Sequence, residues 1–390
     1  MSSNYKITLM LDLSIHPGRN LMRGIARYSR LHGPWQLNNI WSDLYDSKSR
    51  DSDFFKNLRK NLINSDGVII REPAAWKYLE GIDIPMIVAS AIKDVEIPAS
   101  GTIMTDSRAI GSMGAGYFIQ KGFKRVAFCG LKGMLWSTHR QEFFFETSKS
   151  RELEVFDYSF NYPKTEMQRE SRINSLTKWI QKLPKPIGIM AANDLCGKLV
   201  LDACRNASVN VPQEVAVLGV DNDDIFCELT WPSLSSIELS TEKAGYESAA
   251  LLEKILKGKK PRKTTIHVEP VVIKERRSTD IVAVEDNLVS EILLFIKENA
   301  DKPLQSQDIV NAFNISRRSL YSKFKDTLGI SIHKAIRKAR VDRICKLLIE
   351  SNLSIKEIAY QSGFADLDHV SRYFKKEKGV SPSQFRSRYS

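Results

Sequence analysis

From the N-terminus to about residue 280, short unbroken apolar runs alternate with longer stretches whose apolar residues recur at helical spacing. KITLMLDLS, DGVII, PMIVAS, RVAFCG, IGIMAAN and EVAVLGVDN read as strands. Gly18 to His32, GSMGAGYFIQKG and LCGKLVLDACRNA read as helices between them. Runs without polar alternation belong to strands covered on both faces, so the pattern predicts parallel sheets with helices on either side. There are more such units than one compact sheet holds, and two α/β lobes are expected. Beyond residue 288 the strand pattern stops and only helical periodicity remains.

The final stretch, SIKEIAYQSGFADLDHVSRYFKKEKGVSPSQFRSRYS, is closely punctuated. Ser354 with Glu357 makes a capping box, in which hydroxyl and carboxylate each satisfy a free N–H at a helix start. Ile355, Ile358 and Ala359 share one face, and Gly363 suits a left-handed helix stop. Asp366 can cap a second helix whose Val370 and Phe374 face inward. That leaves Asp368, His369, Arg372, Lys375 and Lys376 outward. The same pattern stands about 50 residues upstream, in SQDIVNAFNISRRSLYSKFKDTLGIS. Phe324-Lys325 matches Phe374-Lys375, Gly329 matches Gly379, and Asn314 stands in for Gly363. Between the copies, Ile332 to Glu350 reads as one helix without Pro or Gly. Two helix pairs with basic second helices predict an all-α domain with two helix-turn-helix units.

Charge sharpens this picture. Residues 288–390 hold 19 Lys and Arg against 11 Asp and Glu, so +8 of the net +12 sits on about a quarter of the chain. Such a local excess favours phosphate contacts whose strength falls with salt. The five cysteines, Cys129, Cys196, Cys204, Cys227 and Cys345, are scattered and never in CxxC spacing, and read as reduced core residues. No apolar run is long enough to span a membrane, and the N-terminus lacks a signal-peptide core, so a cytoplasmic protein without membrane contact is expected.

Open parallel sheets bind ligands beyond the carboxyl ends of their strands. Polar groups gather at those places. Ser14, His16 and Arg19 follow the first strand, and Trp136, His139 and Arg140 stand in the loop after RVAFCGL. Asn193-Asp194 follows IGIMAA, and Asp221 to Asp224 follows VAVLGV. A carboxylate accepts two hydroxyl protons, a guanidinium donates paired N–H bonds, and the faces of Trp136 or Trp231 can cover the C–H face of a sugar. The candidate ligand-binding set is Arg19, Trp136, Arg140, Asn193, Asp194 and Asp221. There is no Gly-rich phosphate loop, no GxSxG and no HExxH, and the six histidines are dispersed. Neither enzymatic activity nor a metal or cofactor is expected.

The segments SIKEIAYQSGF, RYFKKEKGVSP and FRSRY resemble the AraC/XylS family of transcription regulators, from Leu288 to the C-terminus. Against that family's pattern, Val310 replaces an Ala and Gln305 replaces a Ser or Thr cap, which predicts looser packing of the first unit. GVIIREP, GSMGAGYFIQKGFKRVAFCG, AANDLCGKLVLDACRNASVNVPQEVAVLGVDND and WPSLSSIELSTEKAGYESAALLEKILKG are similar to the effector domain of the LacI/GalR family. This implies a two-lobed periplasmic-binding-protein-like α/β fold over about residues 5–278. It also implies that Arg140, Asn193 and Asp221 hold a sugar. The chain starts on its first strand, so the DNA reader is expected at the other end. The expected organisation is a ligand-sensing domain at 1–280, a linker at 281–287 and a DNA-binding domain at 288–390.

The AraC-type resemblance implies base-facing positions at Arg318, Tyr321 and Ser322 in the first unit, and at Asp368, His369 and Arg372 in the second. Arg317, Lys325 and Lys375 suit phosphate. Arg318 and Arg372 are the leading base readers, because Arg bidentate to guanine is the commonest specific contact. Asp368 could accept from a cytosine amino group but is read first as a helix cap. Together the resemblances imply double-stranded DNA and a small-molecule sugar as partners, a homodimer, contact with RNA polymerase, and activation of pentose (xylose) catabolism genes. The alternatives are a different sugar, a sugar acid drawn by Arg19, Arg71 and Arg140, or a first domain that is only a dimerisation scaffold.

Overall fold

A computed structural model describes residues 4–40, 59–71, 81–89, 99–163, 165–261, 264–281, 286–364 and 366–389. Among the described residues, twelve strands form two six-stranded sheets. The strands are β1 (Lys6–Met10), β2 (Gln36–Asn39), β3 (Gly67–Ile70), β4 (Met86–Ala89), β5 (Gly101–Thr105), β6 (Arg125–Leu131), β7 (Glu154–Phe160), β8 (Ile187–Ala191), β9 (Val215–Asp221), β10 (Ser235–Leu239), β11 (Thr265–Val268) and β12 (Pro270–Lys274). The first sheet runs β11-β5-β4-β3-β1-β2 and is parallel throughout. The second runs β12-β10-β9-β8-β6-β7, with only β12 antiparallel. All residues of β3, β4 and β8 are buried, as continuous apolar runs require. The chain crosses from one lobe to the other after β5, β10 and β11.

Helix α1 (His16–His32) packs on the first sheet; α2 (Ser107–Gln120), α3 (Leu135–Lys149), α4 (Glu166–Lys182), α5 (Asp194–Asn206) and α6 (Asp224–Leu229) belong to the second lobe. The chain then returns to the first lobe in α7 (Thr241–Leu256), which lies against α1. Their crossing is set by glycine. A Cβ on Gly24 would stand 1.9 Å from the Glu242 carbonyl oxygen, and one on Gly245 would stand 2.2 Å from that of Leu21.

The C-terminal domain is helical: α8 (Asn287–Glu298), α9 (Ser306–Phe313), α10 (Arg317–Leu328), α11 (Ile332–Glu350), α12 (Ile355–Gln361), α13 (Leu367–Lys378) and α14 (Pro382–Tyr389). It has two cores. Val289, Ile309, Leu320 and Phe324 centre the first, and Ile358, Val370, Phe374 and Phe385 centre the second. The long helix α11 serves both: Ile332 and Ile336 enter the first, whereas Ile344 and Leu348 enter the second. Val271 of β12 also packs in the second core, so the edge strand of the second lobe is a docking surface for the helical domain.

The two repeats carry matching punctuation. Ser316 caps α10 by accepting from Ser319 N at 3.1 Å, and Asp366 caps α13 by accepting from His369 N at 2.6 Å. Asn314 (φ 46°) and Gly363 (φ 67°) make the turns within each unit. The expected looseness of the first unit is not seen: Asp308 Oδ2 accepts from Gln305 N at 2.7 Å and Val310 packs against the first core. The Gln305 side chain accepts from the N3 N–H, as Ser or Thr does elsewhere, and the Asp308 carboxylate closes the capping box on the Gln305 N–H. Of the expected linker 281–287, residues 282–285 lie outside the described residues. All five cysteines are buried and unpaired with one another. No described helix is long and apolar enough to cross a membrane.

Gly24→Ala is expected to destabilise the protein by about 1–3 kcal/mol through overpacking at the α1–α7 crossing. Urea unfolding should show a lower midpoint at an unchanged slope; an unchanged midpoint would contradict the close approach.

Candidate functional site

A cavity of about 760 Å³ lies between the lobes, where the carboxyl ends of both sheets meet. Asp12, Ser14 and His16 reach it after β1, and Arg71 after β3. From the second lobe come Trp136, Arg140, Asn193, Asp194, Asp221 and Asp223. These are the strand-end positions expected of an open parallel fold. Trp136, His139 and Arg140 are not in a loop, however. They occupy the first turns of α3, which starts directly after Gly133 in a left-handed turn (φ 75°). A helix holds these side chains more rigidly than a loop would.

Arg140 is 4 % exposed. Its Nη1 donates to the Ala192 carbonyl at 2.5 Å, and its guanidinium lies 4.8 Å from the Trp136 ring centre. Its Nε is buried without a protein partner among the described residues. Burial draws the Arg140 pKa down, opposed by Asp221 nearby. Burial raises the Asp221 carboxyl, opposed by Arg140 and Arg71. All three side chains line the cavity. Asn193 is the N-cap of α5, accepting from Cys196 N at 3.0 Å.

Two members of the sequence-derived set do other work. Asp194 is buried, and both its oxygens are used: Oδ1 accepts from Ser236 Oγ at 2.5 Å and Oδ2 from Asp223 N at 2.7 Å. Burial, and then the Asp221 charge, push its carboxyl well above the usual range. Asp194 thus positions the turn after β9 instead of presenting a free carboxylate. Arg19 does not line the cavity. Its Nη2 pairs with Asp223 Oδ2 at 2.7 Å, and its Nη1 donates to the Ser14 carbonyl at 2.8 Å. It ties the first lobe to the second. Trp231 is 69 % exposed with Arg277 over its ring, away from the cavity, and covers no ligand face there. Asn39, Thr105 and Tyr162 also line the cavity. Asn39 and Thr105 end β2 and β5, so the strand-end rule points to them; Tyr162, two residues beyond β7, is found by the same rule.

The lining does not make the cavity basic. Arg71 and Arg140 face Asp12, Asp194, Asp221 and Asp223, while Arg19 is engaged with Asp223. His16 is held toward its neutral form, chiefly by burial, and its Nε2 lies 2.7 Å from Asn20 Nδ2.

In the helical domain, Arg317, Arg318 and Lys325 on α10 are exposed, as are Asp368, His369, Arg372 and Lys375 on α13. Tyr321 is only half exposed, and its hydroxyl lies 2.5 Å from His333 Nε2 and 3.3 Å from Ser306 Oγ. It braces the first unit internally. Ser322 Oγ donates to Asp326 Oδ2 at 2.8 Å. Asp366 and not Asp368 caps α13, which leaves the Asp368 side chain outward. Arg340 of α11 escaped the sequence reading: it donates to the Ser362 carbonyl at 2.8 Å and stacks 4.2 Å from the Phe364 ring centre. It pins the turn of the second unit, a tertiary role that helical periodicity does not reveal.

Residues 115–279 match the periplasmic binding protein-like domain family, and residues 309–388 match a helix-turn-helix domain family. The chain is 28 % identical over 389 residues to the xylose operon regulatory protein of Haemophilus influenzae, covering 98 % of each chain. It is 27 % identical to that of Escherichia coli strain K12, covering 99 % of this chain and 97 % of the other. Among solved structures it is similar to one described as the xylose-binding transcription activator xylR, with a TM-score of 0.61, 26 % identity, and coverage of 100 % of this chain and 99 % of that one. Over its whole length the chain is similar to the xylose operon regulatory proteins, and it is a transcription regulator, not an enzyme, that joins a periplasmic-binding-protein-like sugar-responsive domain to an AraC-type helix-turn-helix domain.

Proposed function

We propose that the inter-lobe cavity takes a neutral pentose, D-xylose, and that its occupation sets how the two helix-turn-helix units engage a promoter. The observation that carries this reading is the buried Arg140, stacked on Trp136 and lining the cavity with Asp221, whose charge acts on it. Donor, acceptor and aromatic face are the groups that vicinal hydroxyls and a C–H face need. The whole-length likeness to proteins named for a xylose operon supports the choice of sugar. Arg140, Asn193, Asp221 and Trp136 contact the sugar; Asp194 and Arg19 shape the site. A polar, charge-balanced cavity also argues against a sensing domain that serves only as scaffold.

Residues 1–280 form the sensor and 288–390 the reader. Each unit places its second helix in the major groove, the two about one helical turn apart on one DNA face. Arg318, Arg372 and His369 meet base edges, with Ser322 and Asp368 beside them, and Arg317, Lys325 and Lys375 meet phosphates. A homodimer on tandem sites gains affinity through effective concentration. Bound beside a promoter in the cytoplasm, the reader contacts RNA polymerase and activates transcription.

Asp221→Asn should weaken D-xylose binding about 10- to 100-fold, the worth of one hydrogen bond to a charged group. Isothermal titration checks this, and unchanged affinity would remove Asp221 from the site. Arg372→Ala should cost about 1–3 kcal/mol on the preferred DNA and relax specificity at one position, whereas Lys375→Ala should weaken all duplexes alike and lower the salt slope by about one. Equal losses on every sequence for Arg372→Ala would cancel its base-reading role.

A further inference from the structure

One dipeptide just beyond β12 touches both the turn that follows Asp221 and the reader. Arg276 sits just beyond that strand, with a side chain 15 % exposed. Its Nη2 donates to Asn222 Oδ1 at 3.0 Å, its Nη1 to the Leu234 carbonyl at 3.0 Å and its Nε to Glu228 Oε1 at 2.7 Å. Asn222 is not an ordinary turn residue. It follows Asp221, and both have left-handed backbones, at φ 53° and φ 103°. Such conformations persist in non-glycine residues only where the surroundings hold them. Arg276 is one holder, and Ser236 is another: its Oγ accepts from Asn222 N at 3.0 Å.

The preceding residue looks the other way. Glu275 accepts from Lys297 Nζ of α8 at 2.9 Å and lies 3.7 Å from Lys121 Nζ at the end of α2. Lys297 also reaches Asp280 Oδ1 at 3.2 Å. Burial works against ionisation of Glu275, but Lys121 and Lys297 outweigh it and hold its carboxyl below the usual range. The strand behind the dipeptide is fixed on both sides. β12 pairs with β10 in the second lobe, and its Val271 packs among Val341 and Ile344 of α11.

We propose that Glu275-Arg276 is the element through which the cavity and the DNA reader sense one another, Arg276 positioning the turn that carries Asp221 and Glu275 positioning α8 through Lys297. The proposal rests on the reading of the cavity as a sugar site. A sugar that takes Asp221 favours one arrangement of the 221–222 turn. Asn222 passes that preference to Arg276, and a single peptide carries it to Glu275. The coupling is a difference in contact free energy between two arrangements, so it acts in both directions.

The test uses the full chain and a duplex selected by the wild-type protein from a random pool. DNA affinity is measured by fluorescence anisotropy with and without saturating D-xylose, and D-xylose affinity by titration calorimetry. Glu275→Gln should bind D-xylose within about twofold of wild type, while the ratio of DNA affinities with and without sugar falls toward one. Lys297→Gln, which breaks the contact from the reader side, should do the same, and the double variant should show no further loss. A wild-type ratio preserved in both single variants overturns the coupling role and leaves the sugar reading standing. A wild type whose DNA affinity ignores D-xylose, and which binds none, overturns both.

Discussion

The carboxylate of Asp194 is the contact on which the rest of the sensing domain depends. Burying an ionisable carboxyl is unfavourable unless its lone pairs are satisfied. Here Asp223 N and Ser236 Oγ satisfy them. The space for this arrangement exists because residue 219 is Gly: a Cβ there would stand 2.3 Å from Asp194 Oδ1. By fixing Asp223, Asp194 sets the left-handed turn at Asp221 and Asn222. That turn aims Asp221 into the cavity, presents Asp223 to Arg19 across the lobe boundary, and offers Asn222 to Arg276. One buried acid thus supports a cavity-lining carboxylate, an inter-lobe ion pair and the hydrogen bond between Asn222 and Arg276.

The link between sensor and reader divides its labour. The Glu275–Lys297 pair is half exposed, and pairs of that kind contribute on the order of 0–1 kcal/mol alone. Adhesion comes from apolar burial of β12, with Val271 and its neighbour Val272 against the second helical core. The ion pair gives geometry, deciding where α8 sits on the lobe. The long helix α11 joins the two helix-turn-helix units, since its two halves fill both cores.

Much of this was legible in the sequence, for local reasons. Continuous apolar runs such as IGIMA gave buried strands, and the segment free of Pro and Gly from Ile332 to Glu350 is α11. Asn314, Asp366 and Gly363 act within a few residues of where they stand, so cap and turn chemistry revealed them. The residues wrongly placed at the cavity failed for long-range reasons. Arg19 follows a strand end like a ligand residue, yet its partner Asp223 is 204 residues away. Asp194 looked like a free acid because its donors lie 29 and 42 residues on. Trp231 had the right chemistry and the wrong side of the lobe. Periodicity states which face of an element is apolar, but not which distant loop will meet its polar end.

The most direct measurement compares D-xylose affinity of the free protein with that of the protein saturated with its preferred DNA, by titration calorimetry. Linked sites require reciprocity: if sugar changes DNA affinity by some factor, typically about 5–150-fold, DNA changes sugar affinity by the same factor. The account predicts tighter D-xylose binding on DNA, by a factor equal to the sugar's effect on DNA affinity. Identical sugar affinity on and off DNA would mean that cavity and reader do not communicate.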